Sequence, residues 1–123
     1  MRAVLDANVI VSGIARYHYG QTAPSRVLLA AVDGRYSLVT SEVIVAEVEV
    51  ALTKPYFGDR FDRPYLEERL AELRSLADVV ELTEVVEGIA AHWQDDLVLS
   101  TALSGDAGFL VTGDRELLDL DHE

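Results

Sequence analysis

The chain of 123 residues is 50% hydrophobic, contains no cysteine and carries 22 acidic against 10 basic side chains, for a formal net charge of −12. These properties predict one folded domain over residues 1–123, and they exclude disulfides, thiolate metal sites and a membrane span, which would need about 20 consecutive apolar residues. The acidic balance is unfavourable for gripping nucleic acid through a basic surface, and the early acid at Asp6 argues against a signal peptide, so we expect a soluble cytosolic protein.

Apolar strands alternate with amphipathic helices along the chain. The pattern predicts strands at residues 4–5, 36–40, 79–82 and 109–113. It predicts helices over 8–14, 24–31, 42–53, 84–93 and 97–103, another that starts at 62–64, a final helical turn at 115–118, and loops at 16–21 and 56–63. Strands that alternate with helices imply crossover connections and a parallel sheet, and therefore an α/β fold.

Four carboxylates fall where such a fold would bring them together: Asp6, Glu47, Asp96 and Asp114. Asp6 ends the first strand and Asp114 follows the last, and open α/β sheets bind ligands at the carboxyl ends of their strands. Unpaired acids gathered there would repel one another unless a divalent cation held them. The sequence therefore makes a metal site with oxygen ligands the first hypothesis.

Glu47 is the most informative of the four acids. On a helical wheel it lies beside Ile44 and Val48, well away from Glu42 and Glu49, on a face that should point inward. A desolvated carboxylate is costly unless it has a partner. Metal ligation, a buried ion pair and a helix edge that reaches solvent all remain possible explanations.

The other three acids each have a simpler structural explanation. Asp6 and Asp114 stand at strand-to-helix junctions, where aspartate is a favoured N-cap. Asp96, or its neighbour Asp95, could equally cap a helix that begins at Leu97. Taken together, three strand-end acids and one inward glutamate still form an unusual set, since capping does not account for Glu47.

Small polar residues near the proposed site have weaker claims. Asn8, Ser12 and Thr112 could bind a ligating water or a phosphate, and Asp95 could support the metal ligands from behind. The alternative is ordinary turn or helix-end hydrogen bonding, which explains Ser12 at least as well, and a solvated cap in the case of Asp95.

The segments around the four acids resemble the PIN-domain family, particularly the ribonuclease toxins of bacterial type II (VapBC-like) toxin–antitoxin systems. The matching segments are residues 4–9, 41–47, 95–99 and 110–118. The resemblance implies a three-layer α/β/α fold with a central parallel sheet. Such toxins continue past the last acid through another strand, whereas this sequence stops at Glu123, so the sequence leaves open whether the last edge strand is present.

The same resemblance implies a function and assigns roles to the acids. It implies an endoribonuclease dependent on Mg²⁺ or Mn²⁺, in which a metal-activated water hydrolyses the phosphodiester bond. Asp6 and Asp96 would be metal ligands, Glu47 a ligand or a water-orienting base, and Asp114 a ligand to a weaker or second ion. The partners it implies are an RNA substrate, a cognate antitoxin protein and a second copy of the chain in a homodimer.

Other functions fit the acids less well. A hydrolase with Asp6 as aspartyl nucleophile would normally have a second acid two residues on, where this chain has Asn8. A signalling receiver domain would have a lysine at a late strand end, but the only lysine, Lys54, precedes a proline. A stronger alternative is a PIN-fold binding module, catalytically weak or inactive, that acts through protein or RNA contacts.

Overall fold

The computed structural model describes residues 1–15, 23–54, 62–85 and 93–111, with the side chains of 93–95 excepted. The strands in these ranges are β1 (Arg2–Leu5), β2 (Ser37–Thr40), β3 (Asp78–Val79) and β4 (Phe109–Val111). The helices are α1 (Ala7–Ala15), α2 (Ala23–Val32), α3 (Glu42–Leu52), α4 (Arg63–Leu76) and α5 (Trp93–Ser104). In this part of the chain no helix is long and apolar enough to cross a bilayer.

The strands form one parallel sheet in the order β3-β2-β1-β4. β1 lies between β2 and β4, with Val4 opposite Val39 on one side and Leu110 on the other. Because every neighbouring pair is parallel, each connection has to cross from the carboxyl end of one strand back to the amino end of the next. The predicted α/β fold with a central parallel sheet is confirmed.

Both faces of the sheet are covered. Successive strand residues point to opposite faces, yet Val4 and Leu5 are both buried, and so are Leu38 and Val39. With right-handed crossovers, the rule for parallel strands, α1 to α4 cover one face and α5 covers the other. This arrangement is the predicted three-layer α/β/α architecture.

The third strand is shorter and earlier than predicted. It covers Asp78–Val79 rather than 79–82, and it pairs with the last two residues of β2. The last hydrogen bond between the two strands joins the Val80 N–H to the Thr40 carbonyl at 2.9 Å. Because β2 ends at Thr40, the residues that follow Val80 have no strand beside them to pair with. The predicted strand over 79–82 was therefore wrong beyond its first residue, because its length is set by the partner strand.

The helix predicted over 84–93 does not begin at Glu84. The backbone N–H groups of Thr83 and Glu84 both donate to the Ser104 side-chain oxygen at 2.9 Å, and neither residue is helical. A hydroxyl on α5 thus holds this segment in an irregular conformation. Residues 86–92 lie outside the described part of the chain, as do the predicted loop at 16–21, positions 112–113 of the last predicted strand and the helical turn at 115–118.

Helix α4 begins and packs as its sequence predicts. Asp62 caps it, since its Oδ1 accepts a hydrogen bond from the Tyr65 N–H at 2.9 Å. Leu66, Leu70 and Leu73 recur at i, i+4 and i+7, and all three are buried. The apolar stripe on this helix therefore faces the core, and its charged residues face solvent.

The close approach of α5 to the sheet can be tested at Gly105. A Cβ added there would clash with the buried Val39 side chain and lie 3.2 Å from the Thr101 carbonyl oxygen. We expect Gly105→Ala to lower the free energy of unfolding by about 1–3 kcal/mol, as measured by urea denaturation. The control is Gly108→Ala, since a Cβ at Gly108 meets nothing within 4 Å and should change stability by less than about 0.5 kcal/mol. Equal effects of the two substitutions would contradict this packing.

The phenol of Tyr36 should make stability depend on alkaline pH. Its hydroxyl donates to the Val27 carbonyl at 2.8 Å, and burial raises its pKa above the usual value of 10.0. The folded state therefore keeps this proton to higher pH than the unfolded state does. The contribution of Tyr36 to the free energy of unfolding should be constant below pH 10 and should fall as the pH rises above it. Urea denaturation at several pH values should show a steeper alkaline loss in the wild type than in Tyr36→Phe; parallel profiles would contradict the assignment.

Candidate active site

Asp6 is fixed at the carboxyl end of the central strand. Its N–H donates to the Val111 carbonyl at 3.1 Å, and its Oδ1 accepts from the Val9 N–H at 2.9 Å. It therefore caps α1, as predicted, and it is only 6% exposed. A carboxylate has two oxygens that can each accept more than one bond, so capping does not use up its capacity to bind a cation.

Glu47 points inward from α3, as the helical wheel predicts. Its Oε1 is buried, and its neighbours Ile44 and Val48 are completely buried. By contrast, the side chains of Glu42 and Glu49 on the same helix are 63% and 34% exposed and pair with arginines of α4. Glu47 is thus separated from the surface acids of its own helix.

Asp96 does not cap α5. The helix begins at Trp93, four residues before the predicted start at Leu97, so both Asp95 and Asp96 lie within its first turns. Asp96 is only 9% exposed. The capping explanation for this acid is wrong, and a buried aspartate inside a helix needs another reason, because desolvation of its charge is costly.

Strand register places Asp6 beside the start of α3. Val4 lies opposite Val39 in the parallel pair of β1 and β2. Extending this register by two residues brings Asp6 opposite Ser41. Ser41 directly precedes α3, the helix that carries Glu47. This helix contacts both α1 and α5, so it joins the helices of the two faces near the carboxyl edge of the sheet.

The direction of α5 places Asp96 at the same edge. Thr101 Oγ1 lies 2.9 Å from Ser41 Oγ, just past the carboxyl end of β2. Further along, the Gly105 carbonyl accepts from Arg2 Nε at 2.9 Å, at the amino end of β1. The helix therefore runs from the carboxyl edge towards the amino edge. Asp96 precedes Thr101 by five residues, so it lies about 7 Å from Thr101 along the helix axis, on the side away from the amino edge.

The remaining predicted residues are distributed differently. Asn8 is exposed and Ser12 is half-buried, both on α1. Thr112, Asp114 and the side chain of Asp95 lie outside the described residues. The structure thus places Asp6 and Asp96 near the carboxyl edge of the sheet and Glu47 on α3, the helix that begins at this edge. Within the described ranges, no group of three or more His, Cys, Asp or Glu side chains is close enough together to hold a metal ion.

The chemistry of the three acids fits a hard divalent cation. Asp6, Glu47 and Asp96 offer only carboxylate oxygens, and the chain has no cysteine. Oxygen ligands of this kind suit Mg²⁺ and Mn²⁺ better than softer metals. The burial of these groups also fits, because a cation would offset the cost of removing several carboxylates from water.

Sequence analysis missed a group of buried hydroxyls at this edge. Thr40 ends β2 and Ser41 follows it, and Ser100 and Thr101 lie on α5 about one turn after Asp96; all four are buried. The signal was present as a Thr-Ser pair that directly follows an apolar strand. It was not recognised because hydroxyl residues at a strand end usually serve as caps or turns.

The described arginines near α4 are already occupied by acids. Arg63, Arg69 and Arg74 all pair with glutamates, and Arg2 pairs with Asp78 at 2.8 Å. The hydrogen bond to Glu42 raises the pKa of Arg74 above its usual value. The pairs of Arg2, Arg63 and Arg74 are largely exposed to solvent and contribute little stability, whereas the Arg69 side chain is only 19% exposed. Together the four pairs leave less positive charge for binding a phosphate backbone.

Comparison with known protein families assigns the chain to one of them. The sequence pattern of the PIN domain matches residues 2–116. The chain belongs to the PIN-domain family. The match spans the positions of all four predicted acids, and PIN domains are generally nucleases that use divalent metal ions. No curated protein and no solved structure matches the chain.

The capping role of Asp6 can be separated from its predicted role as a metal ligand by two substitutions. Asparagine caps a helix as well as aspartate, whereas alanine in place of a cap costs about 0.5–2 kcal/mol. In the presence of EDTA we therefore expect Asp6→Asn to keep the free energy of unfolding of the wild type, and Asp6→Ala to lower it by about 1 kcal/mol. Urea denaturation measures both, and an equal loss in the two variants would contradict the capping role.

Proposed function

We propose that this PIN domain is an endoribonuclease dependent on Mg²⁺ or Mn²⁺ and that it is the toxin of a toxin–antitoxin pair. The observation that carries the proposal is the burial of Asp6, of Asp96 and of the Glu47 Oε1 atom in a parallel α/β chain of a nuclease family. Asp114 completes the proposed set.

The proposed mechanism divides the work among the four acids. When bound, the divalent ion would lower the pKa of a water ligand and stabilise charge on the phosphodiester oxygens. Asp6 and Asp96 would hold the ion, and Asp114 would help to hold it or a second one. Glu47 would orient the attacking water or take its proton at a carboxylate oxygen. Water adds to phosphorus as the 3′ oxygen leaves, which gives a 5′-phosphate on one product and a 3′-hydroxyl on the other.

The charge of the protein supports a strong dependence on metal. With a net charge of −12 and paired arginines on α4, the protein has little positive charge with which to attract RNA. The bound cation would therefore screen the acids from the phosphate as well as activate water. This arrangement predicts weak RNA binding without metal.

The same acidity supports a basic protein partner. We propose that the cognate antitoxin occupies the acidic edge of the sheet and places a positive side chain, such as arginine, between the carboxylates. Such a contact would replace the cation and block the site. We also propose a homodimer as the functional unit of the toxin.

A second candidate function is a binding module without turnover. It is favoured by the lack, among the described residues, of three acids close enough to hold a metal ion. In this case the fold would contact RNA or protein, and the acids would be retained only as cap and interior residues. The two functions differ in whether any divalent ion supports phosphodiester cleavage.

The nuclease proposal is tested by RNA cleavage with matched variants. Asp6→Asn, Glu47→Gln and Asp96→Asn each remove one charge and keep the side-chain shape. Residues that only support metal ligands typically change activity by roughly 10- to 100-fold. We expect each of these substitutions to lower the rate of RNA cleavage in Mg²⁺ or Mn²⁺ by more than this. Product ends can be analysed for the 5′-phosphate by gel mobility after phosphatase treatment.

The control for this experiment is Glu49→Gln. Glu49 lies on the same helix as Glu47, but it faces outward and pairs with Arg63 at 3.0 Å. The Glu49→Gln variant should cleave RNA at the rate of the wild type, and EDTA should abolish cleavage by both proteins. Lack of cleavage of a mixed RNA pool with any divalent ion would overturn the nuclease proposal and favour the binding module.

A further inference from the structure

A pair of buried hydroxyls connects the two elements that flank the proposed metal site. Ser41 Oγ and Thr101 Oγ1 lie 2.9 Å apart, and the two residues are 1% and 0% exposed. Ser41 stands between β2 and the helix of Glu47, while Thr101 belongs to the helix of Asp96.

The donors in this contact can be assigned from proton counts. Thr101 Oγ1 donates to the Leu97 carbonyl at 2.8 Å, and a hydroxyl has only one proton to give. Ser41 must therefore be the donor to Thr101. The result is a directed chain of bonds from Ser41 through Thr101 to the first turns of α5, where Leu97 follows Asp96.

Ser41 makes this contact instead of a usual one. It occupies the N-cap position of α3 with extended backbone angles, yet its side chain makes no capping hydrogen bond. A serine cap is worth about 1 kcal/mol to a helix. Here the Ser41 hydroxyl bonds to Thr101 on α5 rather than to the backbone of α3. The stabilisation of a helix cap is therefore absent, and a hydrogen bond between the start of α3 and α5 is formed in its place.

A second hydroxyl reinforces the start of α5. Ser100 Oγ donates to the backbone carbonyl of Asp96 at 2.8 Å, beside the bond from Thr101 to the Leu97 carbonyl. Hydroxyls that bond to carbonyls four residues earlier often bend a helix. The two successive bonds thus act on the backbone of Asp96 and of the residue after it.

We propose that the Ser41–Thr101 hydroxyl pair is a positioning contact that fixes Asp96 relative to Asp6 and so sets the metal affinity of the site. Asp6 directly follows β1 and lies opposite Ser41 when the register of β1 and β2 is extended. Asp96 lies five residues before Thr101 on the same helix. The contact therefore links the backbone next to one acid with the helix that carries the other. This inference rests on the proposed function, since it assigns a role toward the same carboxylates.

The test is direct Mn²⁺ binding by Ser41→Ala and Thr101→Val, measured by calorimetric titration or by loss of the free-ion electron paramagnetic resonance signal. We expect each variant to bind Mn²⁺ about tenfold more weakly, the lower end of the effect of groups that support metal ligands. The double variant should bind about as weakly as either single one, because both remove the same contact. Thr101→Ser keeps the hydroxyl and should restore affinity to within about twofold of the wild type, within the usual scatter for independent changes.

The control is Tyr36→Phe, which removes a partly buried side-chain hydroxyl bond at the amino end of the sheet. It should reduce stability to a similar extent but leave Mn²⁺ affinity unchanged. If Ser41→Ala lowers the free energy of unfolding and binds Mn²⁺ like the wild type, the contact is merely structural and the inference is overturned. The same result follows if Tyr36→Phe weakens binding equally.

Failure of the proposed function would give a different pattern. If Asp6→Asn binds Mn²⁺ as tightly as the wild type, the acids are not the metal site and the nuclease proposal itself is contradicted. If Asp6→Asn abolishes binding and Ser41→Ala has no effect, only the positioning role is lost. The two proposals are therefore separated by one set of titrations.

Discussion

The pairing of β1 between β2 and β4 is the constraint on which the rest of the structure depends. It aligns Asp6 with Ser41 on one side, and on the other the Asp6 N–H bonds to the last described residue of β4, Val111. A shift of one residue in this register would turn Asp6 to the opposite face of the sheet. Because Val4 and Leu5 are both apolar and buried, apolar patterning alone would not oppose such a shift. The backbone pairing with β2 and β4, including the hydrogen bond from Asp6 to Val111, therefore determines where the proposed catalytic edge lies.

The acids at that edge differ in what holds them. Asp6 is oriented by a helix N-terminus, whose partial positive charge favours a carboxylate. Asp96 lies in the first turns of α5, so the start of that helix also favours its charge. Glu47 projects from the interior of α3, where no helix end compensates its charge, so it depends on neighbouring groups or on a cation.

Much of this arrangement could be predicted from the sequence, because it follows from local patterns. The inward face of Glu47 follows from helical periodicity, and the cap at Asp6 follows from its place between strand and helix. The length of β3 and the irregular segment at Glu84 could not be predicted, since they depend on where β2 ends and on a hydroxyl of Ser104 some 20 residues away. The early start of α5 likewise hid the fact that Asp96 is not a cap. Long-range contacts determine the length of β3 and the conformation at Glu84.

The sheet order also has a consequence for synthesis of the protein. Val4 and Leu110, which lie opposite each other, are 106 positions apart in the chain, and the N–H of Asp6 bonds to a residue near the end of the described part. On a ribosome, β1 therefore has no second neighbour until the intervening residues and β4 have been made. Contacts between such distant residues form late in folding. A nuclease built in this way would acquire this edge only after β4 has left the ribosome.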